Sequence, residues 1–66
     1  MRTGLKIKRV AAGLTSAEAS EAIGTVKQYW SLLETGKQRG TIKLWKRVQD
    51  LLDIPDEEMW KIINEE

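Results

Sequence analysis

Helix starts and helix stops alternate so closely in the middle of this chain that few architectures can accommodate them. Thr15-x-x-Glu18 and Thr25-x-x-Gln28 each have the form of a capping box. In that motif a hydroxyl accepts from the amide three residues on, and the side chain there answers the cap's own amide. Gly24 and Gly36 stand where a chain leaving a helix has to turn left-handed. Ser16 to Thr35 therefore reads as a short helix, a turn of about two or three residues and a second short helix. That second helix carries Lys27, Gln28, Ser31 and Leu32 on its outer face, with Thr35 beyond them. The rest of the chain has to pack around this unit.

Before it, Thr3 is placed to cap a first helix over Gly4 to Ala12, with Leu5, Val10, Ala11 and Ala12 inward and Gly13 closing it. Leu14, the apolar residue just before the cap Thr15, staples the start of the second helix. Ala19, Ala22 and Ile23 supply the inner face of that helix. In the third, Trp30 and Leu33 point inward, with Val26 and Tyr29 at the margins of the stripe. Valine is a poor cap, so the third helix is expected to run over 26–35 with Thr25 as its cap. Past the basic loop Lys37-Gln38-Arg39-Gly40, Thr41 caps a fourth helix from Ile42 to Leu52. There Ile42, Trp45, Val48, Leu51 and Leu52 recur at helical steps. Asp53-Ile54-Pro55 breaks it. A fifth helix follows from Asp56 to Asn64, with Asp56, Glu57 and Glu58 at the positive end of its dipole and Met59, Trp60, Ile62 and Ile63 as its apolar side. With no strand pattern, repeat or linker, residues 1–66 are expected to form one all-α domain.

Composition excludes more than it identifies. A chain of 66 residues with no cysteine and no histidine has no disulfide or thiolate metal site and lacks the commonest general base. A domain this small buries roughly 60% of its extended-chain surface and leaves little concavity for catalysis. The glycines mark helix ends and form no phosphate loop, so no enzyme, cofactor or metal is expected. Apolar runs of three residues or fewer and the lack of a signal-peptide core point to a soluble, cytoplasmic protein away from membranes. The charge is divided unevenly. Residues 1–47 hold ten Lys or Arg against three acids, for +7, and residues 48–66 hold one lysine against seven acids, for −6, together the net +1 of the chain. A basic body with an acidic end suits a protein that sets one side against a polyanion.

Three stretches carry a resemblance. Leu5-Lys6-x-Lys8-Arg9-Val10-x-x-Gly13-Leu14-Thr15-x-x-Glu18, then Ile23-Gly24-Thr25, then Leu33-Glu34-x-Gly36-Lys37 resemble the lambdoid phage repressor and Cro group, the Xre-type helix-turn-helix family. The likeness continues through Ile42-x-x-Trp45-x-x-Val48 to Leu52-x-Ile54, so it spans about residues 5 to 60. It implies a compact bundle of five short helices, a lambda-repressor-like DNA-binding domain whose helix-turn-helix motif is 16–35. Proteins of this kind act as dimers on two-fold operators and regulate transcription, commonly as repressors. Position by position, the resemblance assigns base reading to Lys27, Gln28, Ser31 and Leu32 and phosphate contacts to Ser16, Lys37, Arg39 and Thr41. Glutamine can pair bidentately with adenine, and lysine can reach guanine acceptors. Arg9 and Glu34 correspond to a structural ion pair between the first and third helices, expected to be partly buried and bidentate. The other reading of Arg9, a phosphate contact, suits Lys6 and Lys8 better.

The chain departs from the family pattern at Ser16, where glutamine is usual, at Ser20, where alanine is usual, and at Thr25-Val26, where the hydroxyl and apolar residues are exchanged. Leu32, an apolar residue at a base-facing position, touches either a thymine methyl or a protein. A second function therefore stays open: the same fold turned to protein binding, antirepressor-like, through Tyr29, Leu32 and Leu44, or used as a recombination accessory factor. Either function is compatible with a homodimer through Met59, Trp60 and Ile63, since the C-terminal helix 56–64 offers more apolar surface than one packing face needs.

Overall fold

The computed structural model describes residues 1–65. Among them are five α-helices and no strand: α1 Thr3–Ala11, α2 Ser16–Ala22, α3 Lys27–Thr35, α4 Ile42–Leu52 and α5 Asp56–Asn64. Two of the starts follow directly from local chemistry. At Thr15 the capping box is complete: Glu18 N donates to Thr15 Oγ1 at 3.1 Å and Thr15 N donates to Glu18 Oε1 at 2.9 Å. Thr41 Oγ1 accepts from Leu44 N at 3.1 Å and starts α4.

The other two expected caps are not formed. Thr25 does not cap α3; the residue before the helix is Val26, in an extended conformation and without a side-chain cap bond. The cause lies in how α2 stops. Gly24, with φ +79°, bonds its amide to Glu21 O at 3.1 Å, and Thr25 bonds its own to Ser20 O at 2.9 Å. This Schellman ending commits Thr25 to α2 and moves the start of α3 to Lys27. Nor does Thr3 cap α1, because that place is taken by Arg2, whose amide donates to Glu34 O at 2.7 Å. The free amide of Gly4 is met instead by the carboxylate of Glu65, at 2.7 Å, an anion at the positive end of α1.

Trp30, Leu33, Leu5, Ile23 and Val48 form the centre of the core, with Trp45, Leu52, Met59 and Ile62 around them and Ile54 filling in from the α4–α5 connection. α1 contributes less than its sequence suggests, as only Leu5 is buried. Val10 is 59% exposed, and Ala11 and Ala12 are open to solvent. Leu5 and Arg9, four residues apart, share the inward face, so Val10 points about 100° away from it. Ala22 on α2 and Ile42 at the first turn of α4 are likewise exposed.

Arg2, just before α1, is interior instead. It is 1% exposed, and its Nη1 donates to Leu33 O at 2.7 Å and Gln38 O at 2.6 Å, while Nε donates to Ile63 O at 3.3 Å. Leu33 and Ile63 lie in the last turns of α3 and α5, so one cation serves the negative ends of two helices. The same side chain reaches the loop after α3 through Gln38.

Candidate nucleic-acid interface

What turns α3 outward is the set of contacts on its inner side. Trp30 and Leu33 are fully buried, and Glu34 is buried beside them. Glu34 Oε2 accepts from Arg9 Nε at 2.6 Å and from Trp30 Nε1 at 2.5 Å. Arg9 does not present both prongs to the carboxylate. Its Nη1 donates to Leu14 O at 2.8 Å, so the guanidinium joins α1, α3 and the connection before α2. With Arg9 and Glu34 side chains 12% and 10% exposed, this is a largely desolvated charge pair of the kind that is costly to break from one side. Lys8, adjacent to Arg9, pairs at the surface with Glu58 at 2.7 Å.

The locked inner face leaves Lys27, Gln28, Ser31 and Thr35 exposed on one helix, packed across α2. Leu32 is half-buried, so only part of it is open on that face, and Ser16 at the start of α2 is half-buried as well. Lys37, Arg39 and Thr41 are exposed, and their loop is held by its backbone. Gln38 N donates to Leu32 O at 3.2 Å, Gln38 O accepts from Arg2, and Arg39 O accepts from Trp45 Nε1 at 2.7 Å. Gly40 is required there: its φ is +75°, and a Cβ would stand 2.7 Å from Trp45 Nε1. The loop is thus a fixed mount for two exposed cationic side chains, of which Arg39 borders the groove between α4 and α5.

Lys43 and Arg47 belong to the same neighbourhood, although nothing in the sequence singled them out. With Thr41 and Leu44 they line a recess of about 200 Å³. Arg47 Nη1 donates to Ile23 O at 3.2 Å in the α2–α3 turn. Their spacing of four along α4, which puts them on one face, was the available signal. By contrast, Tyr29 and Leu44 are half-buried against the core, so the apolar face of Tyr29, Leu32 and Leu44 does not form an exposed patch.

On α5, Met59 is 5% exposed and part of the core, Ile63 is half-buried and Trp60 is 63% exposed, and the three line one groove with Arg39 and Gly40 of the basic loop. Of the three residues expected at a subunit contact, Met59 is therefore withdrawn into the core. The packing of α5 on the bundle turns it inward together with Ile62. At α2, the Thr15 amide and, after it, the Thr15 hydroxyl hold the Glu18 carboxyl below its ordinary range.

No family model, no curated protein and no solved structure matches this chain. Among the described residues no helix is long and apolar enough to cross a membrane.

Proposed function

We propose that this chain is a sequence-specific double-stranded DNA-binding regulator of transcription, repressor- or Cro-like, acting in the cytoplasm and reading the major groove with α3. The observation that carries the reading is the outward face of α3. Lys27, Gln28 and Ser31 stand exposed on a helix whose opposite side is locked by Glu34, Arg9 and Trp30. A helix fits the major groove, about 12 Å wide, and a rigid one can hold side chains in register with base edges. Gln28 is the adenine reader and Lys27 the guanine reader in this proposal. Lys37, Arg39, Thr41 and Ser16 take phosphates, and Lys43 and Arg47 extend that cationic track along α4. Leu32, half-covered, has a methyl edge to offer a thymine.

Selection from random duplexes followed by footprinting on the enriched sequences tests the reading. A common motif is expected, with binding that weakens steeply as salt rises, since each neutralised phosphate adds roughly 0.9 to the slope of log K against log salt. Failure to enrich any sequence, together with a salt-insensitive interaction, would overturn it in favour of a protein-binding role.

A further inference from the structure

Ile42, 76% exposed, and Trp60, 63% exposed, border one groove between α4 and α5, with the core residues Trp45 and Met59 and half-buried Ile63 beneath them. Its volume is about 330 Å³, and its polar members include Arg39, Lys46, Gln49 and Asp56. We propose that this groove binds a small, flat aromatic carboxylate, its rings against Trp60 and Ile42 and its charge toward Arg39 and Lys46. By engaging Arg39, the same ligand loosens the hold of the basic loop on DNA.

Size, lining and charge select this ligand. The volume lies at the lower end of the ~300–1,000 Å³ usual for small-molecule pockets. That is room for one or two fused rings and not for a partner helix, ~10–12 Å across with its side chains. Two indoles and the Met59 thioether line the hollow, and both kinds of group favour aromatic partners. Arg39 and Lys46 have no ion-pair partner among the described residues. The carboxylate of the groove, Asp56, already accepts from Gln49 Nε2, so the lining carries a net positive charge and calls for an anion. A guanidinium at the edge of an apolar hollow suits a carboxylate, which it can meet with paired donors.

Arg39 belongs to two places at once. It lines the groove, and its loop supplies the phosphate contacts of the function proposed above, on which the coupling to DNA rests; binding in the groove does not depend on it. The Arg39 carbonyl is held by Trp45 Nε1, so the side chain can change partner while the backbone stays in place. Ligand and DNA then weaken each other by the same factor.

NMR titration of the full chain with 2-naphthoate tests the groove, up to ~10 mM, several-fold above the roughly millimolar Kd that the ligand efficiency of a compound this size gives. Saturable shifts are expected at the Trp60 indole N–H and the Ile42 and Ile63 methyls, with the Trp30 indole unmoved. The neutral 2-naphthamide should bind about tenfold more weakly, and Trp60→Ala and Lys46→Gln should each lose about fivefold or more, with unchanged helicity. No saturable shift at these groups overturns the proposal. Equal binding of acid and amide overturns the anionic ligand in favour of a purely apolar occupant, such as a side chain of another protein. On duplex DNA, saturating 2-naphthoate should lower the salt slope of wild-type binding by about 0.9, one phosphate contact. Trp60→Ala should bind the duplex as the wild type does and ignore the ligand. An unchanged slope with the groove occupied overturns the coupling, whereas a chain that binds 2-naphthoate and no DNA overturns the proposed function and leaves the groove as assigned.

Discussion

The guanidinium carbon of Arg2 lies 5.1 Å from the centroid of the Trp45 ring, and this contact joins the first residues of the chain to the fourth helix directly under the loop that carries Lys37 and Arg39. Trp45 holds that loop through Arg39 O, and Arg2 holds it through Gln38 O. The two side chains form a single support beneath the basic loop. A cation over an indole, with donors bonded to carbonyls in the last turns of two helices and in the loop, is favourable where water is excluded.

Arg2→Met is therefore expected to destabilise the fold by about 3 kcal/mol or more, since charged hydrogen bonds to Leu33 O, Gln38 O and Ile63 O are lost together. Arg2→Lys should recover less than half of this, because an ammonium cannot reproduce the planar fork. Urea melts of the three proteins measure it, and equal stability of the lysine variant and wild type would show that charge alone is what matters.

Arg9→Met and Glu34→Leu should each cost ~3–5 kcal/mol, and the double variant less than their sum, because each single change strands a buried charge. Glu34→Leu is expected to be the worse of the two. It deprives both Arg9 Nε and Trp30 Nε1 of their acceptor, and in the double variant the indole N–H remains without Glu34. A thermodynamic cycle in urea checks the coupling; strictly additive losses would mean that the pair contributes nothing as a pair.

On DNA, Gln28→Ala is expected to abolish discrimination at one base pair, at a cost of ~1–3 kcal/mol, while Lys37→Ala or Arg39→Ala weakens all sequences alike and lowers the salt slope by about one. The difference follows from position: Gln28 projects from the first turn of α3, whereas the two cations project from a loop whose backbone is tied down. Competition binding against specific and random duplexes separates the cases. An intact specificity ratio in Gln28→Ala would place the reading face elsewhere.

Acid should loosen the start of α2 only as the pH falls below the ordinary carboxylate range. The Glu18 carboxyl titrates below its ordinary 4.5 because it accepts from Thr15. Being lower in the folded state, this value gives a contribution that is present above the unfolded value and lost as pH falls through the folded one. The carboxyl carbon of Glu18, followed by NMR, should show a midpoint below 4.5, and the Thr15 amide should move with it. Glu18→Gln, which keeps an acceptor but no titrating group, should remove the pH dependence of both.

What the residues determined by themselves are the features that act within a few positions. The Thr15 and Thr41 caps, the glycine stops, the break at Asp53-Ile54-Pro55 and the helical spacing of Trp30, Leu33, Trp45 and Val48 are all contained in short stretches, and five helices follow from them. The outward set of α3 was legible for the same reason, because a helix with Trp30 and Leu33 inside has only one side left. Choices that depended on distant partners were decided by tertiary structure. Val26 precedes α3 because Thr25 is used to end α2, a competition between two neighbouring helices that neither cap pattern reveals alone. Arg2 is interior because carbonyls at positions 33, 38 and 63 converge on it, and Gly4 is capped from Glu65. Likewise, Met59 faces inward and Trp60 outward although both lie on the apolar side of α5, since only the placement of α5 on the bundle selects which part of a broad stripe is covered. Backbone propensity and capping are short-range; burial is the outcome of how five helices meet.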